Sequence, residues 1–221
     1  IGTALFAYGC KAVVMACNIS SAVGLAEVRA AHPENAAFGM IAPGACRASR
    51  STRNGRIGVL ATAGTVQSCA YTRGLRALDP GIVVVEVPCP DFVPLVEAGA
   101  EESDAAREAA DRYLSPIREA GCDTVILGCT HYPFLLGALC NAWSAPVYVD
   151  PAEQAALDLA DHLASAALLA PASVAIAHLL TTTGDLEAFR AGLARFLPSA
   201  GDCARIALAT WAETGLALPT A

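Results

Sequence analysis

Thr124-Val-Ile-Leu-Gly-Cys-Thr-His-Tyr-Pro133 decides the architecture of this chain. Its opening, 124–127, is a short apolar run containing β-branched residues, which reads as a buried strand. The strand ends in a small residue, Gly128, followed by Cys129 and the polar Thr130, and the pattern over 134–143 is helical. The same order occurs near the start of the chain. Val13-Val-Met-Ala-Cys-Asn18 runs from apolar residues through Ala16 and Cys17 to Asn18, with a helical pattern over 22–31.

Working outward, short β-branched runs alternate with longer helical patterns. Strands are expected over 12–16, 37–41, 56–61, 82–87, 124–127, 147–149 and 175–180. Helices are expected over 22–31, 65–78, 103–120, 134–143, 151–169 and 185–196. Within 103–120 the spacing places Ala106, Ala109, Tyr113 and Ile117 on one face and sets Glu108 against Arg112 at i,i+4. Such alternation implies parallel sheets covered by helices, so the fold class is α/β. The echo between the cysteine segments predicts two α/β units related by approximate twofold symmetry. Polar, turn-rich 46–55 and Asp150-Pro151 mark seams dividing the chain into 1–50, 51–150 and 151–221.

The 221 residues suffice for one large domain or two small ones. Hydrophobic residues make up 55%, much of it alanine, and no run approaches the roughly 18 to 20 apolar residues of a membrane span. The net charge of −7 comes with no Lys or Arg cluster, which argues against nucleic acid as a partner. The cysteine count of nine is odd, with irregular spacings and no CxxC pair. That pattern disfavours a disulfide framework and a structural zinc site, and favours reduced thiols in the cytoplasm. Residues 1–8 are uncharged and read as the end of a helix entered in mid-domain, so an N-terminal segment is expected before them.

In open α/β sheets, ligands bind at the carboxyl ends of strands, where Cys17 and Cys129 both fall. A thiol just before a helix meets the positive end of its dipole, which favours thiolate. Two such thiols flanking one substrate would suit inversion of a stereocentre, one removing a proton and the other delivering one to the opposite face. The developing negative charge needs prearranged donors, for which Asn18, Thr62, Thr65 and Thr130 are candidates. His131 is read either as tuning Cys129 or as satisfying a loop carbonyl. Glu97 is read either as a partly buried carboxylate with a raised pKa or as a solvated residue opening a helix. Thr62 and Thr65 open a helix and either grip an anion or serve as N-caps. Taken singly, each cysteine is equally read as a small buried strand-end residue. Nucleotide-binding glycine motifs are absent.

Several segments resemble those of the glutamate racemase family, in the aspartate/glutamate racemase superfamily. They are Ala16-Cys-Asn-Ile-Ser20, Ile57-Gly-Val-Leu60 with Ala61-Thr-Ala-Gly-Thr65, Cys89-Pro-Asp-Phe-Val-Pro-Leu-Val-Glu97, Gly128-Cys-Thr-His-Tyr-Pro133 and Thr183-Gly-Asp185. The resemblance implies cofactor-independent interconversion of L- and D-glutamate, supplying D-glutamate for peptidoglycan. Cys17 and Cys129 would be the acid–base pair, with His131 and Glu97 assisting Cys129. Asn18, the backbone of Ile19, Thr62, Thr65 and Thr130 would hold the substrate. It further implies two α/β domains, 1–50 with 151–221 and 51–150, an active site between them, a homodimer, and need of neither pyridoxal phosphate nor metal. Two departures stand out. The family's opening DSGxGG and YG loops are not in these residues. Ile19 also replaces a threonine, a lost hydroxyl worth about 0.5 to 3 kcal/mol. Alternatives are a racemase for aspartate or a hydantoin, a catalytically impaired relative, or a thiol-redox or zinc protein.

Overall fold

The chain is described by a computed structural model covering residues 1–171, 178–200, 204–212 and 215–219. Its centre is an all-parallel sheet in the order β4-β3-β5-β6, built from β3 (Arg56–Ala61), β4 (Val83–Pro88), β5 (Thr124–Gly128) and β6 (Val147–Val149). The crossovers are helical. α4 (Ala63–Ser68) and α5 (Ala70–Leu78) join β3 to β4, α6 (Phe92–Glu97) and α7 (Asp104–Glu119) join β4 to β5, and α8 (Leu136–Ala142) leads to β6. Before this sheet come α1 (Gly2–Ala7), β1 (Ala12–Met15), α2 (Asn18–Ala31), β2 (Ala36–Gly39) and α3 (Ile41–Ser51), with β1 and β2 paired in parallel. After it come α9 (Pro151–Ser165), β7 (His178–Thr182), α10 (Leu186–Phe196) and β8 (Ala204–Leu208), the strands again parallel. The fold is α/β with parallel sheets, as the alternation implies.

β5 is buried at every residue and β3 at all but Arg56, so their sequences read as near-continuous apolar runs. One face of the sheet packs Leu60, Val125 and Leu127 against Phe92, Val96, Leu114, Ile117 and Tyr132. The other packs Ile57, Val59 and Ile126 against Ala45, Ala48, Tyr71 and Leu75. Gly58 makes the first face tight, since a Cβ there would lie 2.4 Å from Ile117 Cγ2.

Several details depart from the periodicity. The polar run from Cys46 belongs mostly to α3, which continues to Ser51 and leaves only 52–55 as a turn. The helix persists because Pro43, Gly44, Ala45 and Ala48 are buried while Arg47 and Arg50 face water. The expected helix over 65–78 is broken at Cys69, whose φ of 50° is left-handed. Arg112 pairs with Asp91 at the start of α6, not with Glu108. β2 stops at Gly39, and α9 stops at Ser165 rather than reaching 169. β7 begins at His178, and the earlier part of that expected strand, 175–177, lies outside the described residues, as does Cys203. An antiparallel pair of short strands, β9 (Thr210–Ala212) and β10 (Gly215–Ala217), had no periodic signal. No described helix is long and apolar enough to cross a membrane.

The turn after α3 is clamped by Asp123, at the foot of β5. Its Oδ1 accepts from the Thr52 hydroxyl at 2.6 Å, and its Oδ2 from the Arg53 and Asn54 N–H groups at 2.8 and 2.9 Å. Burial pushes this carboxyl's pKa up, but the donors outweigh it and the pKa lies below the usual aspartate value.

Two stability outcomes are expected. Gly58→Ala overpacks the β3–Ile117 contact and should cost about 1 to 3 kcal/mol in urea unfolding, an unchanged midpoint contradicting the packing argument. Asp123→Asn should destabilise by about 2 kcal/mol near neutrality. A depressed folded-state pKa gives stability that is present above the unfolded value of about 3.9 and lost as pH falls through the folded value. The gap between wild type and Asp123→Asn should therefore close on acidification below that value, and a pH-independent gap would contradict the clamp.

Candidate active site

Cys129 leaves the sheet where β5 presses hardest on its neighbour. A Cβ on Gly128 would lie 2.9 Å from the Leu60 carbonyl oxygen and 3.2 Å from Tyr71 Cε2. Only glycine lets the strand end tuck in there and turn into the 3-10 segment Tyr132–Leu135. The ring of Tyr132, fully buried, meets Phe92 edge to face at 5.0 Å, and its hydroxyl donates to the Cys89 carbonyl at 3.1 Å. These contacts bind α6 to the segment after β5 and bring the end of α6 to His131.

The consequence is a relay of polar groups. His131 Nε2 donates to Glu97 Oε1 at 2.6 Å, and His131 Nδ1 faces Cys129 Sγ at 3.8 Å. With Nε2–H given to the carboxylate, Nδ1 presents its lone pair to the thiol. Such an imidazole can take the Sγ proton and, as imidazolium, stabilise the thiolate. Glu97 closes α6 rather than opening a helix, and its side chain is 56% exposed. The C-terminal part of α10 rests on this pair. Arg195 donates to the Glu97 carbonyl at 3.0 Å and pairs with Glu101, while Phe196 lies 6.5 Å from the His131 ring.

Burial pushes the half-buried Cys129 thiol up, and its neighbour Cys17 adds to the rise. The His131 N–H, the Thr130 hydroxyl and the Thr130 N–H draw it down without cancelling the burial. At Cys129 the pull of the helix end toward thiolate is therefore outweighed, because desolvation exceeds what the turn's donors return.

Cys17 has extended backbone (φ −73°, ψ 124°) and holds the N-cap position of α2 without a side-chain cap, exposed past the end of β1. The turn is pinned by Ser21, whose hydroxyl donates to the Met15 carbonyl at 2.6 Å and accepts the Met40 N–H at 3.1 Å. The N–H groups of the first turn of α2, Ile19 among them, have no intrahelical acceptor and remain donors for an anion. The Ile19 side chain lies 3.4 Å from where a Cβ on Gly64 would sit, so α2 leans on the start of α4. There Thr62 holds the N-cap position, but its hydroxyl pairs with that of the fully buried Thr65 at 3.1 Å instead of capping.

A cleft of about 180 Å³ gathers Asn18, Met40, Cys129, Thr130 and Asp150. Cys17 opens into an adjoining hollow with Met15 and Ser20, and Ala16 lines both spaces. Thr62 and Thr65 stand at the end of β3, outside the lining of the cleft. Asp150, which caps α9 through the Ala152 N–H at 2.9 Å, was read in the sequence only as a seam. Tyr71, which reaches Asn18 from α5, carried no sequence signal of a role. Among the described residues, no three His, Cys, Asp or Glu side chains cluster as a metal would require.

Comparison with known proteins places this geometry. Residues 3–160 match the Asp/Glu/Hydantoin racemase family. A glutamate racemase from Gloeobacter violaceus is 48% identical over 153 residues, 69% of this chain and 57% of that protein. The chain thus spans less than two thirds of that relative's length. The crystal structure of a glutamate racemase isoform from Bacillus anthracis superposes with a TM-score of 0.84 at 32% identity, covering 92% of this chain and 75% of that one. The Francisella tularensis glutamate racemase, solved in complex with D-glutamate, gives a TM-score of 0.84 at 26% identity, covering 96% and 78%. With cysteines at the ends of matching parallel strands and the family's sequence across most of its length, this chain belongs to the Asp/Glu/Hydantoin racemase family.

Proposed function

We propose that the protein interconverts L- and D-glutamate without a cofactor, using Cys17 and Cys129 as an acid–base pair. The observation that carries this reading is the Glu97–His131–Cys129 relay at one strand end, with Cys17 at another, in a hollow that shares Ala16 with the cleft of Cys129. In each direction one cysteine, as thiolate, removes the α-proton from one face. The other, as thiol, delivers a proton to the opposite face, and the roles reverse for the reverse reaction. On the Cys129 side the thiol proton passes to His131 Nδ1, and Glu97 stabilises the imidazolium. The carboxylate-enolate that develops is held by the Asn18 amide, the Ile19 N–H and the Thr130 hydroxyl, while the Thr62–Thr65 pair shapes the start of α4 against which Ile19 rests.

In this reading 1–50 with 151–221 form one domain and 51–150 the other, with the substrate between them. The protein acts in the cytoplasm as a homodimer, and its product is D-glutamate for peptidoglycan. The names of the relatives support glutamate as the substrate.

Two experiments bear on this. Incubation with L- and with D-glutamate in heavy water should show deuterium at the α-carbon together with inversion. Cys17→Ala and Cys129→Ala should each lower inversion by about 10²-fold or more. Inversion that survives either substitution would exclude the paired mechanism, and aspartate turned over as well as glutamate would exclude the substrate. The second is a pH profile of Thr130→Val. The Thr130 hydroxyl favours the thiolate, so its removal raises the Cys129 pKa further. The rising limb of kcat/KM in the direction using Cys129 as base should move to more alkaline pH, and the falling limb of the opposite direction with it. A profile that merely drops in height would assign Thr130 to binding alone.

A further inference from the structure

Tyr71 is a large side chain with no exposed surface, wedged where three elements meet. A Cβ on Gly44 of α3 would sit 3.1 Å from its Cε1 and its hydroxyl oxygen, and one on Gly128 of β5 3.2 Å from its Cε2. Glycines on two elements thus make room for the ring. The hydroxyl donates to Asn18 Oδ1 at 2.6 Å in a buried contact. Asn18 is itself only 4% exposed, yet it lines the cleft with Cys129 and Thr130.

A side-chain amide has one acceptor end and one donor end, and its orientation follows from its partners. Here the buried phenol proton needs an acceptor, and Asn18 Oδ1 supplies it. Turning the amide over would set its NH2 against the hydroxyl and orphan that proton, which disfavours the flipped form. Burial, reinforced by Asp150, Glu86 and Cys129, pushes the Tyr71 pKa far above its ordinary value, so the hydroxyl stays protonated and remains a donor. With Oδ1 occupied, Nδ2 is the end of Asn18 left for the cleft.

We propose that Tyr71 is a positioning residue for racemisation, which through its hydrogen bond fixes Asn18 with Nδ2 toward the substrate carboxylate. The proposal rests on the functional reading above. It gives a role to a residue of α5 that acts on the first residue of α2, next to Cys17 and distant in sequence. An Asn18 amide free to rotate would present its oxygen to the carboxylate part of the time, repelling the group it must bind.

The test is a double-mutant cycle on kcat/KM for glutamate, with thermal unfolding as a control. Tyr71→Phe keeps the ring and should lower kcat/KM about tenfold, mainly through KM. In an Asn18→Ala background the same substitution should change kcat/KM less than about twofold, although it still lowers thermal stability. Equal losses in both backgrounds would make Tyr71 a purely structural residue and overturn the proposal. Should Tyr71→Phe fail to fold, the Asn18 side-chain amide of the wild type is read instead by 15N NMR. Saturating glutamate should shift the Nδ2 protons, which face the substrate only while Tyr71 holds Oδ1. Nδ2 protons left unmoved would overturn the proposal. A wild-type protein that does not racemise glutamate overturns the functional reading itself, whereas an active wild type with an additive cycle overturns only the role of Tyr71.

Discussion

The parallel pairing of β3 with β5 is the constraint from which the rest of the molecule follows. Both strands are buried on two faces, so they must be apolar, closely packed and covered by helices on each side. Glycine appears in each strand where a neighbour comes too near for a Cβ, at Gly58 under Ile117 and at Gly128 beside the Leu60 carbonyl. The second of these matters most for chemistry. It lets β5 end deep in the structure and delivers Cys129 half-buried at its tip.

That delivery has an electrostatic consequence. A thiol taken from water loses the solvation its anion needs, and burial raises the pKa of Cys129 accordingly. The turn that follows returns donors from Thr130 and His131, and His131 is in turn held by Glu97. An acid–base group that must serve in both directions benefits from neither form being strongly favoured. The two thiols are not equivalent, since Cys17 is exposed while Cys129 is partly enclosed. A chain with matching sequence segments can therefore carry two thiols of different reactivity.

The contacts that assemble the site join segments far apart in the chain. Phe92 and Tyr132 join α6 to the segment after β5, and Arg195 of α10 holds the carbonyl of Glu97. Tyr71 of α5 reaches Asn18, and Asp123, just before β5, gathers the turn at 52–54. The Tyr71–Asn18 and Thr52–Asp123 hydrogen bonds are made in buried or partly buried surroundings, where geometry is enforced because a lost partner is costly. The Arg112–Asp91 pair is exposed on both sides and contributes less energy.

The sequence by itself determined the parallel α/β architecture, because strands buried on both faces leave unbroken apolar runs that periodicity detects, as over 56–61 and 124–127. It also placed both thiols at strand ends and marked His131 and Glu97 as companions of Cys129, since those positions lie in compact motifs. What it could not reach depended on partners remote in the chain. The polar run from Cys46 looks like a loop until Ala45 and Ala48 are seen buried against the sheet. Arg112 had a local partner in Glu108, but α6 brought Asp91 within reach instead. Cys129 sits at a strand end where a helix dipole was expected to favour thiolate, and only its burial in the fold reverses that expectation. Tyr71 is one tyrosine among several in the sequence, and its contact with Asn18 exists only because the fold brings α5 to the start of α2. Local chemistry is written in neighbouring residues, but desolvation and pairing are properties of the space that distant residues enclose.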